Sequence, residues 1–287
     1  MKELVVLSGK GGTGKTTIVA SFAALAANKA LVDCDVDAAD LHLLLQPTAV
    51  KTEEFWSGQT AFIDEKMCTQ CGLCTDVCRY HAIDNFTIDP VACEGCGFCF
   101  NVCPDSAISM RENLAGHWFI SDTRYGPLVH ARLGIAQENS GKLVAIVRQN
   151  TKELAKERNL DLVISDGPPG IGCPVISSLT GANLALLITE PTLSGIHDLD
   201  RVIGVCQHFG VPAAVCINKY DINEDNARRI EDSCKNLGVP VISRLGYDES
   251  VTKALIQGVP VVEYCKNGIA RDIGALWNSV NSMLVAK

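Results

Sequence analysis

Two cysteine-rich segments hold the residues best suited to bind metal in this 287-residue chain. Both follow the spacing C-x2-C-x2-C-x3-C, and the second begins 25 residues after the first. In such a run, three closely spaced thiolates hold one face of a cubane iron–sulfur cluster, and the fourth reaches a neighbouring cluster. The eight cysteines are Cys68, Cys71, Cys74, Cys78, Cys93, Cys96, Cys99 and Cys103.

This spacing predicts two 4Fe-4S clusters with crossed ligand sets. The run is that of bacterial ferredoxins, although Arg79 stands where the second repeat has Pro104. Zinc remains an alternative to iron–sulfur clusters, because C-x2-C pairs also bind zinc. A further alternative is that the clusters only staple together a segment too small to form its own core. The predicted sets are Cys68, Cys71, Cys74 and Cys103 for one cluster, and Cys93, Cys96, Cys99 and Cys78 for the other.

A glycine-rich segment near the start of the chain has the pattern of a phosphate-binding loop, G-x-x-x-x-G-K-[ST]. Backbone N–H groups in such a loop surround phosphate oxygens, and the following helix adds the partial positive charge of its N-terminus. Lys15 is expected to reach the β- and γ-phosphates, and Thr16 to hold Mg²⁺. The alternative is a plain glycine turn. The predicted ATP- or ADP-binding residues here are Gly11, Gly12, Thr13, Gly14, Lys15, Thr16 and Thr17.

Acidic residues follow two apolar runs and support the nucleotide hypothesis. Asp33, Asp35 and Asp37 lie in VDCDVD, where a carboxylate can orient water near a γ-phosphate. Asp166 ends DLVISD, where a strand end would place it to contact Mg²⁺ through water. Each acid taken alone could instead be a helix cap or a surface charge.

The elements that must position these residues form an α/β pattern. Continuous apolar runs indicate strands that are covered on both faces. Helical patterns lie between them, which predicts a doubly wound, mostly parallel sheet. The segment KLVAIVRQNTKELAKER is expected to give a strand and then a helix. A helix near the end of the chain is expected to pack on the sheet. The predicted strands cover 4–7, 30–34, 160–166, 184–190, 212–218 and 240–245.

The cysteine-rich segment interrupts this alternation. Residues 57–115 are therefore predicted to form an inserted α+β, ferredoxin-like domain with two 4Fe-4S clusters. The P-loop ATPase domain would be discontinuous and would comprise 1–56 and 116–287.

Composition limits the classes of protein that fit. Apolar residues make up 47% of the chain, charged residues 20%, and the net charge is −8. This is the composition of a globular protein, and it offers no clustered basic face for nucleic acid. No apolar run reaches the length of a membrane span, and no signal peptide is recognisable. We expect a cytoplasmic protein without stable membrane association.

The loop resembles the deviant form of the MinD and nitrogenase iron protein superfamily, because Lys10 adds a second lysine in KGGTGKT. The resemblance implies a nucleotide-sandwich dimer in which Lys10 reaches the partner's phosphates. It also implies that Asp35 positions the attacking water and that Asn218 reads the base. Cys173 has the spacing of a cluster ligand of the nitrogenase iron protein. A solvated Lys10 and a buried, inert Cys173 are the alternatives.

These observations predict an ATPase that couples nucleotide-driven dimer closure to electron transfer or to metal-cluster maturation. Lys10, Lys15 and Asp35 are its expected catalytic residues. The alternatives are a carrier for an iron–sulfur or heterometal cluster, and a spatial-positioning ATPase with structural clusters. The expected partners are a second copy or a paralogous ATPase, and a redox or metal-cluster protein.

Overall fold

The structure is a computed structural model that describes residues 1–134 and 140–286. The chain divides into two compact units. The first unit contains Met1–Thr52, Trp118–Arg132 and the chain from Ser140 onward. The second contains Glu53–His117 and a short stretch that begins at Leu133. Two of the changes between units, after Thr52 and after His117, fall inside long strands.

The elements follow one another in an α/β order. The strands are β1 (Lys2–Ser8), β2 (Lys29–Asp33), β3 (Thr48–Ile63), β4 (Ile83–Asp84), β5 (Thr87–Ile88), β6 (Ile108–Thr123), β7 (Gly126–Leu133), β8 (Leu162–Pro169), β9 (Leu184–Thr189), β10 (Ala213–Asn218) and β11 (Val241–Leu245). The helices are α1 (Lys15–Leu25), α2 (Leu41–Leu45), α3 (Leu73–Val77), α4 (Phe98–Val102), α5 (Ser140–Glu157), α6 (Cys173–Leu179), α7 (Leu193–His208), α8 (Glu224–Asn236), α9 (Glu249–Ile256), α10 (Val261–Tyr264) and α11 (Ile269–Val285).

The main sheet has the strand order β11-β10-β9-β1-β8-β2-β7-β6-β3. The pairs from β11 to β7 are parallel. Only two residues join β6 to β7, and so short a connection makes these neighbours antiparallel. The prediction of a doubly wound, mostly parallel sheet is confirmed. The loops that follow β1, β2 and β8 therefore meet at one edge of the sheet, where such folds bind ligands.

The apolar run of β1 is explained by cores on both faces of the sheet. Leu4 and Val6 lie in one buried cluster together with α1 and α11. Val5 and Leu7 lie in another with α6, α7 and α8. Alternate side chains of a strand point to opposite faces, so a strand in the middle layer must be apolar throughout.

The last helix, α11, packs on the sheet as predicted, because Ile273, Leu276, Trp277 and Val280 belong to the first core. None of the helices in the described ranges combines the length and apolarity needed to cross a membrane.

One predicted strand is wrong. Residues 142–147 lie inside α5, which runs unbroken for 18 residues. Leu143, Val144, Val147 and Leu154 are buried, with the three- and four-residue spacing of one helix face. The short run LVAIV carries β-branched residues and by itself fits a strand, but the periodicity of the longer segment favours a helix.

The second unit contains two short helices, a small hairpin, and the parts of β3 and β6 that lie between Glu53 and His117. Helices α3 and α4 each begin just after a glycine with positive φ, Gly72 at 84° and Gly97 at 72°. Strands β4 and β5 pair antiparallel. The apolar core contains Ala61, Ile83 and Ile108, together with cysteine side chains from both repeats.

A buried ion pair lies at the start of β1. The guanidinium of Arg148 donates to both carboxylate oxygens of Glu3, at 2.6 and 2.8 Å, and to the Ser177 carbonyl. The Lys152 ammonium lies 2.9 Å from the same carboxylate. Both paired side chains are more than nine-tenths buried. This network joins β1 to α5 and α6.

Candidate functional site

The glycine-rich loop joins β1 to α1 with the geometry of a phosphate cradle. Gly12 and Gly14 have φ of 77° and 93°, in the left-handed region that only glycine adopts without strain. Thr13 and Lys15 are buried within the loop. A Cβ atom on Gly14 would lie 2.6 Å from the Asn218 amide nitrogen. Gly14 therefore has both a conformational and a steric reason to be glycine.

Replacing Gly14 by alanine is expected to weaken nucleotide binding by about tenfold or more, because the left-handed conformation costs a residue with a Cβ about 1–2 kcal/mol. Titration with a fluorescent ATP analogue measures the loss. The matched control is Gly204→Ala in α7, where an added Cβ meets nothing within 4 Å. Equal affinity of the two variants would contradict this account of the loop.

Asn218, at the end of β10, forms a hydrogen bond to the backbone of the glycine-rich loop. Its side-chain amide donates to the Thr13 carbonyl at 2.8 Å, and its side-chain oxygen accepts from the Lys219 N–H at 3.0 Å. An apolar cavity of about 220 Å³ opens beside it, with Tyr247 and Val251 among its walls. The base-reading role of Asn218 stays a prediction; its observed contacts are to backbone.

Two buried carboxylates lie side by side at the ends of β2 and β8, where Asp33 and Asp166 are register partners. Neither Asp166 oxygen has a hydrogen-bond partner among the described residues. Burial raises the pKa of Asp166 to about 7, against the opposing effects of Lys15 and the nearby Thr16 hydroxyl. Burial, and then Asp166, also raise the pKa of Asp33. An orphaned carboxylate beside Thr16 fits an Mg²⁺ site, since this ion takes carboxylate and water oxygens.

Asp33 also positions the segment that carries Asp35. Its two carboxylate oxygens accept from the N–H groups of Asp35 and Leu41, at 3.1 and 3.2 Å. Burial raises the pKa of Asp35 to about 6, with Lys15 opposing the rise. One cavity of about 650 Å³ is lined by the predicted residues Gly11, Gly12, Gly14, Lys15, Thr16, Thr17, Asp35 and Asp37.

Lys10 makes contacts that sequence reasoning missed. Its ammonium lies 2.5 Å from a Glu190 carboxylate oxygen and donates to the hydroxyls of Thr192 and Ser194, at 3.0 and 3.2 Å. Glu190 follows β9, as Lys10 follows β1, and these strands are neighbours. A glutamate just after an apolar run gives no sequence signal of a partner 180 residues away.

The eight repeated cysteines surround two small cavities in the second unit. Cys74 and Cys99 are buried in the unit's core, whereas Cys71 and Cys96 are exposed. Burial raises the pKa values of the Cys74 and Cys99 thiols. One cavity is lined by Cys68, Cys71, Cys74 and Cys103, and the other by Cys78, Cys93, Cys96 and Cys99.

Backbone N–H groups point at sulfur in both cavities. Ala107 donates to the Cys103 sulfur at 3.3 Å, and Ala82 donates to the Cys78 sulfur at 3.4 Å. Such hydrogen bonds stabilise thiolates and tune cluster potentials. Across residues 1–134 and 140–286, no three His, Cys, Asp or Glu side chains are grouped as ligands of a single metal ion. Cys173 is exposed at the start of α6 and lines neither cavity.

A comparison with known families identifies the family of this chain. The family model for the CobQ/CobB/MinD/ParA nucleotide binding domain matches residues 4–261. The chain belongs to this family. A MinD/ParA-type P-loop ATPase thus accounts for the loop, for the strand order and for the acidic edge of the sheet.

Individual relatives match most of the chain. An uncharacterised protein of Methanocaldococcus jannaschii is 36% identical over 227 residues, 78% of this chain and 80% of that protein. A putative septum site-determining protein MinD of Mesostigma viride is 26% identical over 269 residues, 91% of this chain and 76% of that protein. The fold is shared with the septum site-determining protein MinD from Pyrococcus horikoshii, solved with Mg-ADP. That structure has a TM-score of 0.60 and 18% identity, and covers 97% of this chain and 95% of that one.

Proposed function

We propose that this MinD/ParA-type ATPase hydrolyses MgATP and carries two 4Fe-4S clusters in a ferredoxin-like second unit. The observation that carries the proposal is the grouping of eight cysteines around two cavities, four to each. Each set combines three cysteines of one run with the last cysteine of the other, as two-cluster ferredoxins do. The thiolates of a cubane bind four different iron atoms, so they lie farther apart than the ligands of one ion. When bound, such clusters accept and donate single electrons.

The first unit supplies the residues that a nucleotide switch requires. Lys15 and the loop N–H groups would hold the phosphates, and Thr16 with Asp166 would hold Mg²⁺. Asp35 lines the same cavity and would orient the attacking water. Mg²⁺, when bound, would neutralise phosphate charge. The active form would be a dimer of two copies, or of this chain and a paralogue, in the cytoplasm and without stable contact to membrane or nucleic acid.

The task of the switch has two candidates, each with an observation in its favour. The named relatives are septum site-determining proteins, which favours a spatial-positioning ATPase whose clusters are structural. The exposure of Cys71 and Cys96 favours electron transfer or cluster maturation with a redox or metal-cluster partner, because a cluster near solvent can exchange electrons at a docking surface. The comparisons favour the first candidate; the sulfur geometry supports the second.

Anaerobic electron paramagnetic resonance of the reduced protein separates these candidates. Spectra would be recorded without nucleotide, with MgADP and with MgATP. Two interacting cubane signals that change with nucleotide would support electron transfer gated by ATP. Signals indifferent to nucleotide, together with ATP-dependent assembly on a surface or filament, would support spatial positioning. The absence of cubane signals from protein purified under anaerobic conditions would contradict the cluster proposal itself.

Replacing Cys99 by serine is expected to lower bound iron from about eight to about four atoms per chain, because one cubane loses a buried ligand. Iron and acid-labile sulfide are measured on anaerobically purified protein, with zinc measured alongside. The matched control is Cys206→Ser, since Cys206 is also buried but lies in the core of the first unit. Iron that is unchanged in the Cys99 variant, or zinc in place of iron, would overturn the assignment.

A further inference from the structure

We propose that Glu190 is a latch that competes with nucleotide phosphate for Lys10. The inference rests on the proposed nucleotide site and adds a regulatory residue to it. In the nucleotide-free chain, the latch holds the Lys10 ammonium against the sheet edge. A phosphate group must then take Lys10 from Glu190 before this lysine can contribute to nucleotide binding or closure.

The Lys10 ammonium is fully engaged by its own chain. An ammonium has three donors, and here three acceptors are in range: a Glu190 oxygen at 2.5 Å and the hydroxyls of Thr192 and Ser194, at 3.0 and 3.2 Å. Thr192 is also the N-cap of α7 and accepts from the Gly195 N–H at 3.0 Å. The acceptors are therefore fixed by a helix start rather than borne on a mobile loop.

Glu190 also contacts a second lysine, Lys219. The Lys219 ammonium lies 3.4 Å from the other Glu190 oxygen and 3.4 Å from the Gly12 carbonyl. Lys219 has a φ of 53°, a conformation that costs a non-glycine residue free energy. The Glu190 carboxylate thus contacts the ammonium groups of both lysines beside the phosphate loop. The two lysines hold the pKa of Glu190 below its ordinary value despite burial, so it is ionised at neutral pH.

The position of Glu190 predicts that its carboxylate weakens nucleotide binding. Its side chain is only 17% exposed, so its charge acts on Lys10 with little screening. Removing that charge leaves two lysines without their shared carboxylate partner, so a bound phosphate no longer competes with it. Nucleotide should bind more tightly, and the two-subunit form should assemble at lower MgATP concentration.

The test uses the full chain with Glu190→Gln and Glu190→Asp. The measured quantities are the MgATP dissociation constant, KM and kcat for hydrolysis, and self-association by sedimentation across MgATP concentrations. The glutamine variant is expected to lower the dissociation constant and KM about two- to fivefold, with kcat changed less. The aspartate variant keeps the charge and should lie between it and the unaltered chain. The matched control is Glu231→Gln, which breaks an exposed pair with Arg244; it should change none of these quantities.

A double-mutant comparison shows whether Glu190 acts through Lys10. In a Lys10→Ala background, the Glu190→Gln effect on MgATP binding should largely disappear. Thermal unfolding checks that each variant is folded. A dissociation constant in the glutamine variant that is unchanged or higher would overturn the latch but leave the proposed nucleotide site intact. Failure of the unaltered chain to bind MgATP would overturn the proposed function and the latch with it.

Discussion

Asp166→Asn is expected to make the nucleotide-free chain more stable at pH 8 while lowering MgATP hydrolysis about 10- to 100-fold. In the folded chain the pKa of Asp166 is about 7, above the ordinary value of 3.8, because the carboxyl group is buried. Between these values the folded chain holds a proton that the unfolded chain has lost. Stability therefore falls as the pH rises from about 4 through 7, and the full penalty applies at pH 8. Asparagine cannot ionise and removes that penalty.

Urea unfolding at pH 8, 6 and 4.5 measures this effect. The variant should gain roughly 2–4 kcal/mol at pH 8, and the gain should shrink toward pH 4.5, where Asp166 of the folded, unaltered chain is protonated and neutral. Asp232→Asn, an exposed substitution on α8, should shift the free energy of unfolding by no more than about 0.5 kcal/mol. A loss of stability at pH 8 would mean that Asp166 is held by a partner, contrary to its orphaned oxygens. Mg²⁺ with ADP should stabilise the unaltered chain more than the variant.

Arg148→Ala is expected to cost about 3–5 kcal/mol of unfolding free energy, because it leaves the buried Glu3 carboxylate with only Lys152 as a charged partner. The Ser177 carbonyl would lose its donor as well. Denaturant unfolding at pH 7.5 measures the loss. Because α6 follows the Asp166 loop and depends on this network, ATP hydrolysis should weaken too.

A double substitution distinguishes pairing from simple loss of bulk. Glu3→Leu with Arg148→Met removes both buried charges, and it should restore most of the lost stability or exceed the original value. The exposed pair Arg244 with Glu231 is the control, and Arg244→Met should cost no more than about 1 kcal/mol. If Arg148→Ala also costs less than 1 kcal/mol, the buried pair contributes no more than a surface pair.

The parts of the site that are encoded within short segments can be predicted from the sequence. The loop residues and Asp35 are adjacent in the sequence to strands whose apolar runs are unmistakable, so their meeting at one sheet edge could be predicted. The grouping of the cysteines is the one that their spacing predicts, and their ligation of iron remains a prediction. Lys10 could be singled out, but its resting partner could not.

The parts that could not be predicted depend on contacts between distant segments. Glu190 and Glu3 are single acids beside apolar runs, and nothing local distinguishes them from surface charges. Their partners lie 180 and 145 residues away. The start of α5 could not be distinguished from a strand, because a short run of β-branched residues fits either element. The 16-residue lengths of β3 and β6 were also missed, since their exposed polar residues hide the strand pattern.

Two long strands, β3 and β6, contain the points at which the chain leaves and re-enters the first unit. Strands β3 and β6 are neighbours in the sheet, and the Lys51 ammonium lies 5.5 Å from the centre of the Trp118 ring. The points where the chain leaves and re-enters the first unit are thus close together, the arrangement in which inserted domains are best tolerated. The same junction, between Thr52 and Trp118, is where the second unit could be transplanted into another ATPase of this family.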